Sequence, residues 1–357
     1  LKQTLTAATV EQRPALPVPV KNVSLSVAAS RQSGGLIQLT EALLESPDTR
    51  TRLSMKGTVD LSEERRQLAV RGRLEQDLAA LRLPELFEGK GEVELAFRAS
   101  SPDLEVFRTR SKLRLKDVHL KLPDSELQVE GLDGEVAINE SVELGDEGLK
   151  LTREIDTNPY SMLRYADQHP LLSQNSFITA KRITTELGDI TGLAGNLAIE
   201  QNVVSLSQLE LGIRGGRVTG QCTLDLQGRA STLEAHVRAT GVQSSRGEPF
   251  DGNAAVVISA RDRSIDGRAE VLRIGNQHLR DLLDVQDPHH VDPSLNRVRY
   301  GLTLGYPEHL RLVFDHGFAS MRISFGGAAR LLKVDDVRGI PVGPLVSRAL
   351  ASVSLPE

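Results

Sequence analysis

The sequence predicts a mostly β protein, a long antiparallel meander that forms a curled sheet or groove with a few short capping helices. Apolar and polar residues alternate with a period of two along much of the chain, as in Gly91 to Phe97 and Lys112 to Leu122. Successive side chains of a strand point to opposite faces, so each such segment has one apolar and one solvated face. Glycine-containing turn dipeptides recur at short intervals, which favours neighbouring hairpins. Segments with helical periodicity are few.

The predicted strands are separated by turn chemistry. Alternation also marks Val23 to Val27, Leu53 to Val59, Leu68 to Leu74 and Leu127 to Gly131 as strands. Glycine, aspartate and asparagine accept the positive φ of tight hairpins. On this basis we expect turns at Asp133-Gly134, Asp251-Gly252, Asp266-Gly267, Gly195-Asn196 and Gly215-Gly216.

Three segments are helix candidates. One begins with Asn158 as the N-cap, continues with proline at the first helical position, and ends at Pro170. A second begins near Asn276, with leucines on one face, and a third begins at Pro344 with apolar residues at helical spacing. The segment from Gly35 to Ser46 is ambiguous between strand and helix.

The alternation lapses in the middle of the chain, and this lapse sets the predicted domain organisation. We expect an N-terminal antiparallel β region over residues 1–150, an irregular or helical connector over 151–178, and a C-terminal β region with a terminal helix over 179–357. Whether the first and third regions share one sheet is left open by the sequence.

Composition excludes several function classes. The 43 basic and 48 acidic residues give a net charge of −5 and are spread evenly, so nucleic acid is not expected as a partner. The single cysteine, Cys222, excludes an intramolecular disulfide and a cysteine-based zinc site. It lies in phase with Val218, Leu224 and Leu226, which predicts a small buried hydrophobe. No apolar run is long enough to span a bilayer, and a signal or anchor is expected upstream of Leu1.

The chain offers no recognisable catalytic constellation. His289-His290 is interpreted as a solvated loop, because adjacent residues of an extended chain point apart and seldom share one metal ion. The adjacent carboxylates Glu63-Glu64 and Asp335-Asp336 are interpreted as solvated edges or turns, and Gly215-Gly216 as a hairpin rather than a phosphate loop. We therefore expect no enzyme activity, no catalytic residue, no metal and no cofactor.

The C-terminal half resembles a known family. The segments that carry this resemblance are Ile190 to Ile199, Val203 to Ile213, Gly215 to Leu226, Ser264 to Val271 and Val298 to Leu304. The last of these is expected to be a strand. Their glycine hairpins and alternating aliphatic residues resemble the C-terminal region of AsmA-like and TamB-like envelope proteins, over residues of about 180–350.

The resemblance implies movement of phospholipid between bacterial membranes along an apolar β-groove. It also implies a periplasmic location, an inner-membrane anchor upstream of residue 1, and a membrane surface or membrane protein as partner at the chain ends. The alternative is a structural or assembly factor for outer-membrane proteins that acts through exposed strand edges. Under the groove hypothesis, the residues expected to line it are Val204, Leu206, Leu209, Leu211, Ile213, Val218, Cys222, Leu224 and Leu226.

Overall fold

A computed structural model describes most of the 357-residue chain. The described residues are 2–9, 21–32, 35–62, 65–81, 88–122, 127–145, 148–152, 176–185, 188–226, 231–243, 247–259, 264–332 and 336–342. The chain separates into two compact units, unit 1 over Leu1–Val203 and unit 2 over Val204–Glu357. Most of the predicted connector over 151–178 lies outside the described residues, so the predicted domain organisation stays a prediction.

Unit 1 is a meander of antiparallel strands, in which each strand from β1 to β9 pairs with the next. Its described part contains no α-helix, only a short 3-10 turn at Leu78–Ala80. The strands are β1 (Lys2–Thr9), β2 (Lys21–Arg31), β3 (Leu36–Ser46), β4 (Thr51–Ser62), β5 (Arg65–Asp77), β6 (Glu88–Ser101), β7 (Val106–Lys121), β8 (Gln128–Gly145), β9 (Gly148–Thr152), β10 (Phe177–Thr185) and β11 (Gly188–Glu200).

The long strand β8 organises the end of unit 1. One edge pairs along its length with β7. Its other edge is shared by three strands: β10 pairs antiparallel with its first part, β11 pairs parallel with Ala137–Asn139, and β9 pairs with its last part. Strand β10 also pairs with β11, so the chain returns to the sheet here rather than starting a separate layer.

Unit 2 combines a second antiparallel meander with two helices. From β13 to β19 each strand pairs with the next. The elements are β12 (Val203–Ile213), β13 (Gly216–Asp225), β14 (Thr232–Gln243), β15 (Pro249–Ser259), β16 (Ser264–Arg273), α1 (Asn276–Gln286), α2 (Pro293–Leu304), β17 (Gly305–Asp315), β18 (Phe318–Gly327) and β19 (Val337–Pro341), with a 3-10 turn at Ala328–Leu331.

The predicted fold class, a mostly β antiparallel meander with a few short helices, is confirmed. The ambiguous segment from Gly35 to Ser46 forms β3, and the candidate helix near Asn276 is α1. The candidate helices at Asn158 and Pro344 lie outside the described residues. The Gly215-Gly216 turn is a hairpin, with φ of +45° at Arg214 and +75° at Gly215.

Four of the predicted turns are wrong. Asp133-Gly134, Gly195-Asn196, Asp251-Gly252 and Asp266-Gly267 all lie inside strands. Close approach of the neighbouring strand explains the glycine in two of them. A Cβ on Gly134 would lie 2.2 Å from the carbonyl oxygen of Phe177, and a Cβ on Gly267 would lie 2.2 Å from that of Ala255.

The expected strand over Val298 to Leu304 is also wrong, because this segment belongs to α2. Asp292 caps the helix by accepting hydrogen bonds from the backbone N–H groups of Ser294 and Leu295, and Pro293 occupies the first turn. Leu295, Val298 and Leu302 recur at helical spacing and are buried.

The two helices are joined by a buried ion pair. The Arg299 guanidinium lies 3.0 Å from the Asp287 carboxylate and also donates to the carbonyl oxygens of Leu283 and Asp287. The Asp287 carboxylate accepts from the backbone N–H groups of Val291 and Asp292. These contacts fix the loop between α1 and α2.

The largest described core lies under the helices of unit 2. Residues of α1 and α2 pack there on β16, β17 and β18. Its members are Val271, Ile274, Leu279, Leu283, Leu295, Val298, Leu302, Leu310, Met321, Ile323, Phe325, Ala329 and Val337.

Truncating this core should destabilise the protein. Leu302 is 2 % exposed and Leu304, two residues along α2, is 40 % exposed. We predict that Leu302→Ala lowers the free energy of unfolding by about 2–5 kcal/mol because it leaves a cavity. The matched Leu304→Ala variant should change it by less than about 0.5 kcal/mol. Denaturant unfolding followed by circular dichroism measures both, and equal effects would contradict this description of the core.

The Asp287 loop should make the stability of the protein depend on pH. Burial raises the pKa of the Asp287 carboxyl, but its hydrogen bonds from backbone N–H groups and from Arg299 outweigh burial and hold the pKa below its ordinary value. A lowered folded-state pKa contributes stability above the unfolded-state pKa, and this is lost as pH falls through the folded-state pKa. We predict that Asp287→Asn flattens the fall of the melting temperature below about pH 4. The exposed-site variant Glu308→Gln should retain the wild-type slope.

Candidate functional site

The apolar face of unit 2 is continuous from strand to strand. Residues directly opposite in an antiparallel pair share one face of the sheet, so the register assigns side chains to rows that cross the strands. Three such rows are aliphatic or glycine over most of their length. They are Val218–Ala239–Gly252–Val271–Leu310–Ile323, Cys222–Ala235–Val256–Gly267–Phe314–Ala319–Ile340, and Leu224–Leu233–Ile258–Ile265.

Helices α1 and α2 cover only part of this face. Under them Val271, Leu310 and Ile323 are 6 %, 4 % and 6 % exposed. In the same row Val218 and Ala239, on β13 and β14, are only half-buried. No residue of β13 or β14 belongs to the described core under the helices. The apolar surface therefore continues past the edge of its helical cover.

Unit 1 carries a similar apolar face without a helix in its described part. One row is leucine on six successive strands from β2 to β7 and valine on β8: Leu25–Leu44–Leu53–Leu74–Leu95–Leu113–Val136. All six leucines are half-buried. At about 4.8 Å between strands the row extends roughly 29 Å. One leaflet of a bilayer has an acyl layer of about 15 Å, so an extended acyl chain fits along this row.

Bulges keep the apolar residues on one face. In β7 the apolar positions change from odd to even numbers between Leu115 and Val118, where the register shifts and Asp117 has φ of +44°. An extra residue in one strand restores the alternation to the same face. Strand β12 changes in the opposite sense, from Leu206 to Leu209, and Gln208 between them has φ of +52°.

The nine predicted lining residues fall on β12, on β13 and just beyond β13. Leu209 is buried, and Leu226, which follows the end of β13, is exposed. The others are half-buried. The register places Val218, Cys222 and Leu224 on the apolar face that β14 continues. Sequence reasoning missed the aliphatic residues of β14 to β16 and the whole leucine row of unit 1, although their alternation is visible in the sequence.

Cys222 lies within the uncovered part of the apolar face. It is half-buried between the rows of Val218 and Leu224 and stands opposite Ala235. Burial raises the pKa of its thiol, which disfavours the reactive thiolate. This agrees with a small hydrophobe rather than a nucleophile.

The other polar clusters have ordinary structural partners. His289 and His290 are exposed, as predicted, and the His290 ring lies 3.2 Å from the Asp284 carboxylate. Asp336 forms an ion pair with Arg322 at 2.7 Å. Glu63-Glu64 and Asp335 lie outside the described residues.

One group of potential metal ligands was not predicted. Asp266, near the start of β16, lies beside Asp315 and His316 at the turn between β17 and β18. The His316 backbone N–H donates to Asp266 at 2.8 Å, and its ring contacts Asp315 at 2.6 Å. These contacts account for the group as a turn.

Comparison with family models, with curated proteins and with solved structures finds no match to this chain. The search for membrane-spanning helices among the described residues finds none of sufficient length and apolarity.

The position of Cys222 predicts its reactivity. Wild-type protein should react with N-ethylmaleimide more slowly than a Cys222→Ser/Gln221→Cys variant, in which the thiol occupies the exposed neighbouring position on the opposite face. Because burial raises the pKa of Cys222, its rate should keep rising at a pH where the control has levelled off. Stopped-flow labelling over a pH series measures both rates. Equal rates and profiles would place Cys222 on an open polar surface.

Proposed function

We propose that the apolar faces of this protein bind lipid acyl chains, and that the protein carries phospholipid between membranes of a bacterial envelope. The observation that carries the proposal is the apolar surface that extends beyond α1 and α2 in unit 2 and along the leucine row of unit 1. A sheet with an apolar face must bury it against another apolar layer. Acyl chains would supply that layer.

The energetics favour such a surface for lipid transfer. Exposing a chain of roughly 16 carbons to water costs about 13 kcal/mol, at about 0.8 kcal/mol per methylene. A row of aliphatic side chains removes most of this cost at each step along the sheet. Leucine, valine and alanine make no directional bonds, so they permit an acyl chain to slide. The function requires no catalytic residue.

The resemblance to AsmA-like and TamB-like proteins agrees with this proposal and is part of its motivation. It adds the periplasmic location, the anchor upstream of residue 1, and a membrane or membrane-protein partner at the chain ends.

Charges on the apolar face should abolish lipid binding. We predict that Leu224→Asp/Val237→Asp loses co-purified phospholipid, because each apolar side chain contributes about 1.5–3 kcal/mol when covered and 1.4 kcal/mol is tenfold in affinity. The matched variant Thr223→Asp/Thr240→Asp adds the same charge to the polar face of the same two strands and should retain the lipid. Native mass spectrometry with organic extraction, on protein purified without detergent, measures the bound lipid.

Circular dichroism must show that both variants keep their β content. A wild-type protein that carries no extractable lipid would sink the proposal. Attention would then move to the strand edges, where an assembly factor for outer-membrane proteins would pair with its client.

A further inference from the structure

The polar face of unit 1 carries four cations side by side. Lys56 on β4 stands opposite Arg71 on β5, which stands opposite Arg98 on β6, which stands opposite Arg110 on β7. We call these four residues the cationic row. Neighbouring strands lie about 4.8 Å apart, so the row extends roughly 14 Å across the sheet.

Neighbouring positions on the same face are arranged differently. Arg73, two positions along β5 from Arg71, forms an ion pair at 2.9 Å with Glu94, which lies four positions along β6 from Arg98. On β7, Arg114 pairs with Glu135 at 2.7 Å and Lys116 with Glu92 at 2.9 Å. These strands therefore accommodate acidic partners for their cations, but no member of the cationic row forms an ion pair with a described residue.

This arrangement disfavours the unliganded sheet. Like charges directly opposite each other on adjacent strands are destabilising. The repulsion is relieved if an anion binds across the row. All four side chains are exposed and therefore accessible to a ligand.

A depression of about 810 Å³ lies along the cationic row. It is lined by the cationic row and by Asn139, which stands opposite Arg110. The neighbouring row of the same face, which contains Arg73 and Lys112, also lines it, as do residues between these two rows. Among the described residues that line it, Glu41 is the only acidic one. Met55, Gly72 and Phe97, which the register assigns to the opposite face, also line it, whereas no residue of the leucine row does.

The shape and donor set restrict the ligand. A volume of this size is typical of small-molecule sites. Three guanidinium groups favour phosphate, which they bind in bidentate fashion, and hydroxyl and amide side chains add donors. The register places one exposed aromatic on this face, Phe177 opposite Glu135, and it does not line the depression. None of the four cations stands opposite an aromatic side chain on which a base would stack, which disfavours nucleic acid.

We propose that the cationic row binds a small polyphosphorylated ligand, a sugar or polyol that carries two or more phosphates. The ligand is either free or the headgroup of a lipid. The site lies on the face opposite the leucine row, so it is independent of acyl-chain binding and its test uses different variants.

The test measures binding by isothermal titration calorimetry with inositol hexakisphosphate and with inorganic tripolyphosphate. We expect wild-type protein to bind inositol hexakisphosphate with an affinity that falls as salt increases. Arg71→Gln/Arg98→Gln should bind at least about tenfold more weakly, since one charged hydrogen-bonding group contributes at least a factor of about ten. Arg114→Gln/Lys116→Gln removes the same charge outside the depression and should bind as wild type does.

Melting temperatures verify that the variants are folded. Arg71→Gln/Arg98→Gln should melt no lower than wild type, because it relieves like-charge repulsion. A second arm uses phosphatidylcholine vesicles with and without phosphatidylinositol bisphosphate. Co-sedimentation with the phosphorylated vesicles assigns the site to a lipid headgroup, and binding of the soluble probe alone assigns it to a free ligand. Absence of binding to both soluble probes, or an equal loss in both variants, would overturn the proposal.

Discussion

The structure depends on the requirement that a sheet with an apolar face must cover that face. In unit 2 the chain meets this requirement locally. Helices α1 and α2 lie in sequence between β16 and β17, and they pack on the strands that flank them. No residue of β13 or β14 belongs to the described core under these helices, and the apolar residues of both strands stay half-buried. The described part of unit 1 has no α-helix, so within that part only residues of neighbouring strands can cover the leucine row.

The sequence is sufficient to predict which residues of each long strand lie on the apolar face. Alternation identifies the apolar face of every long strand, and a change from odd to even positions marks a bulge. The change between Leu115 and Val118 is visible in the sequence, and the structure places Asp117 at φ of +44° there. The change between Leu206 and Leu209 marks Gln208 in the same way. Such a change can be recognised from a few residues, because one inserted residue moves every later side chain of the strand to the opposite face.

The turns and α2 could not be predicted in the same way, because a glycine has two different uses in a sheet. At Gly215 it allows the positive φ of a hairpin, whereas at Gly134 it leaves room for the carbonyl oxygen of Phe177. The dipeptide alone does not separate these uses, since the second depends on a strand more than 40 positions away. Helix α2 was missed because Val298 to Leu304 also fits an apolar strand. The signals for a helix, the Asp292 cap with Pro293 and the spacing of Leu295 from Val298, lie mostly before that segment.

The cationic row depends most strongly on long-range register. Lys56, Arg71, Arg98 and Arg110 lie far apart in the sequence, on four different strands, and the even spread of charge in a chain of net charge −5 argued against any basic surface. Pairing of four strands brings these cations into one row, while residues one position along each strand point to the opposite face. Alternate positions of the same strands therefore form two chemically different surfaces, one on each face of the sheet. An aliphatic surface suited to acyl chains and a cationic surface suited to phosphates are built from the same strands, and a one-residue slip in any of those strands would damage both.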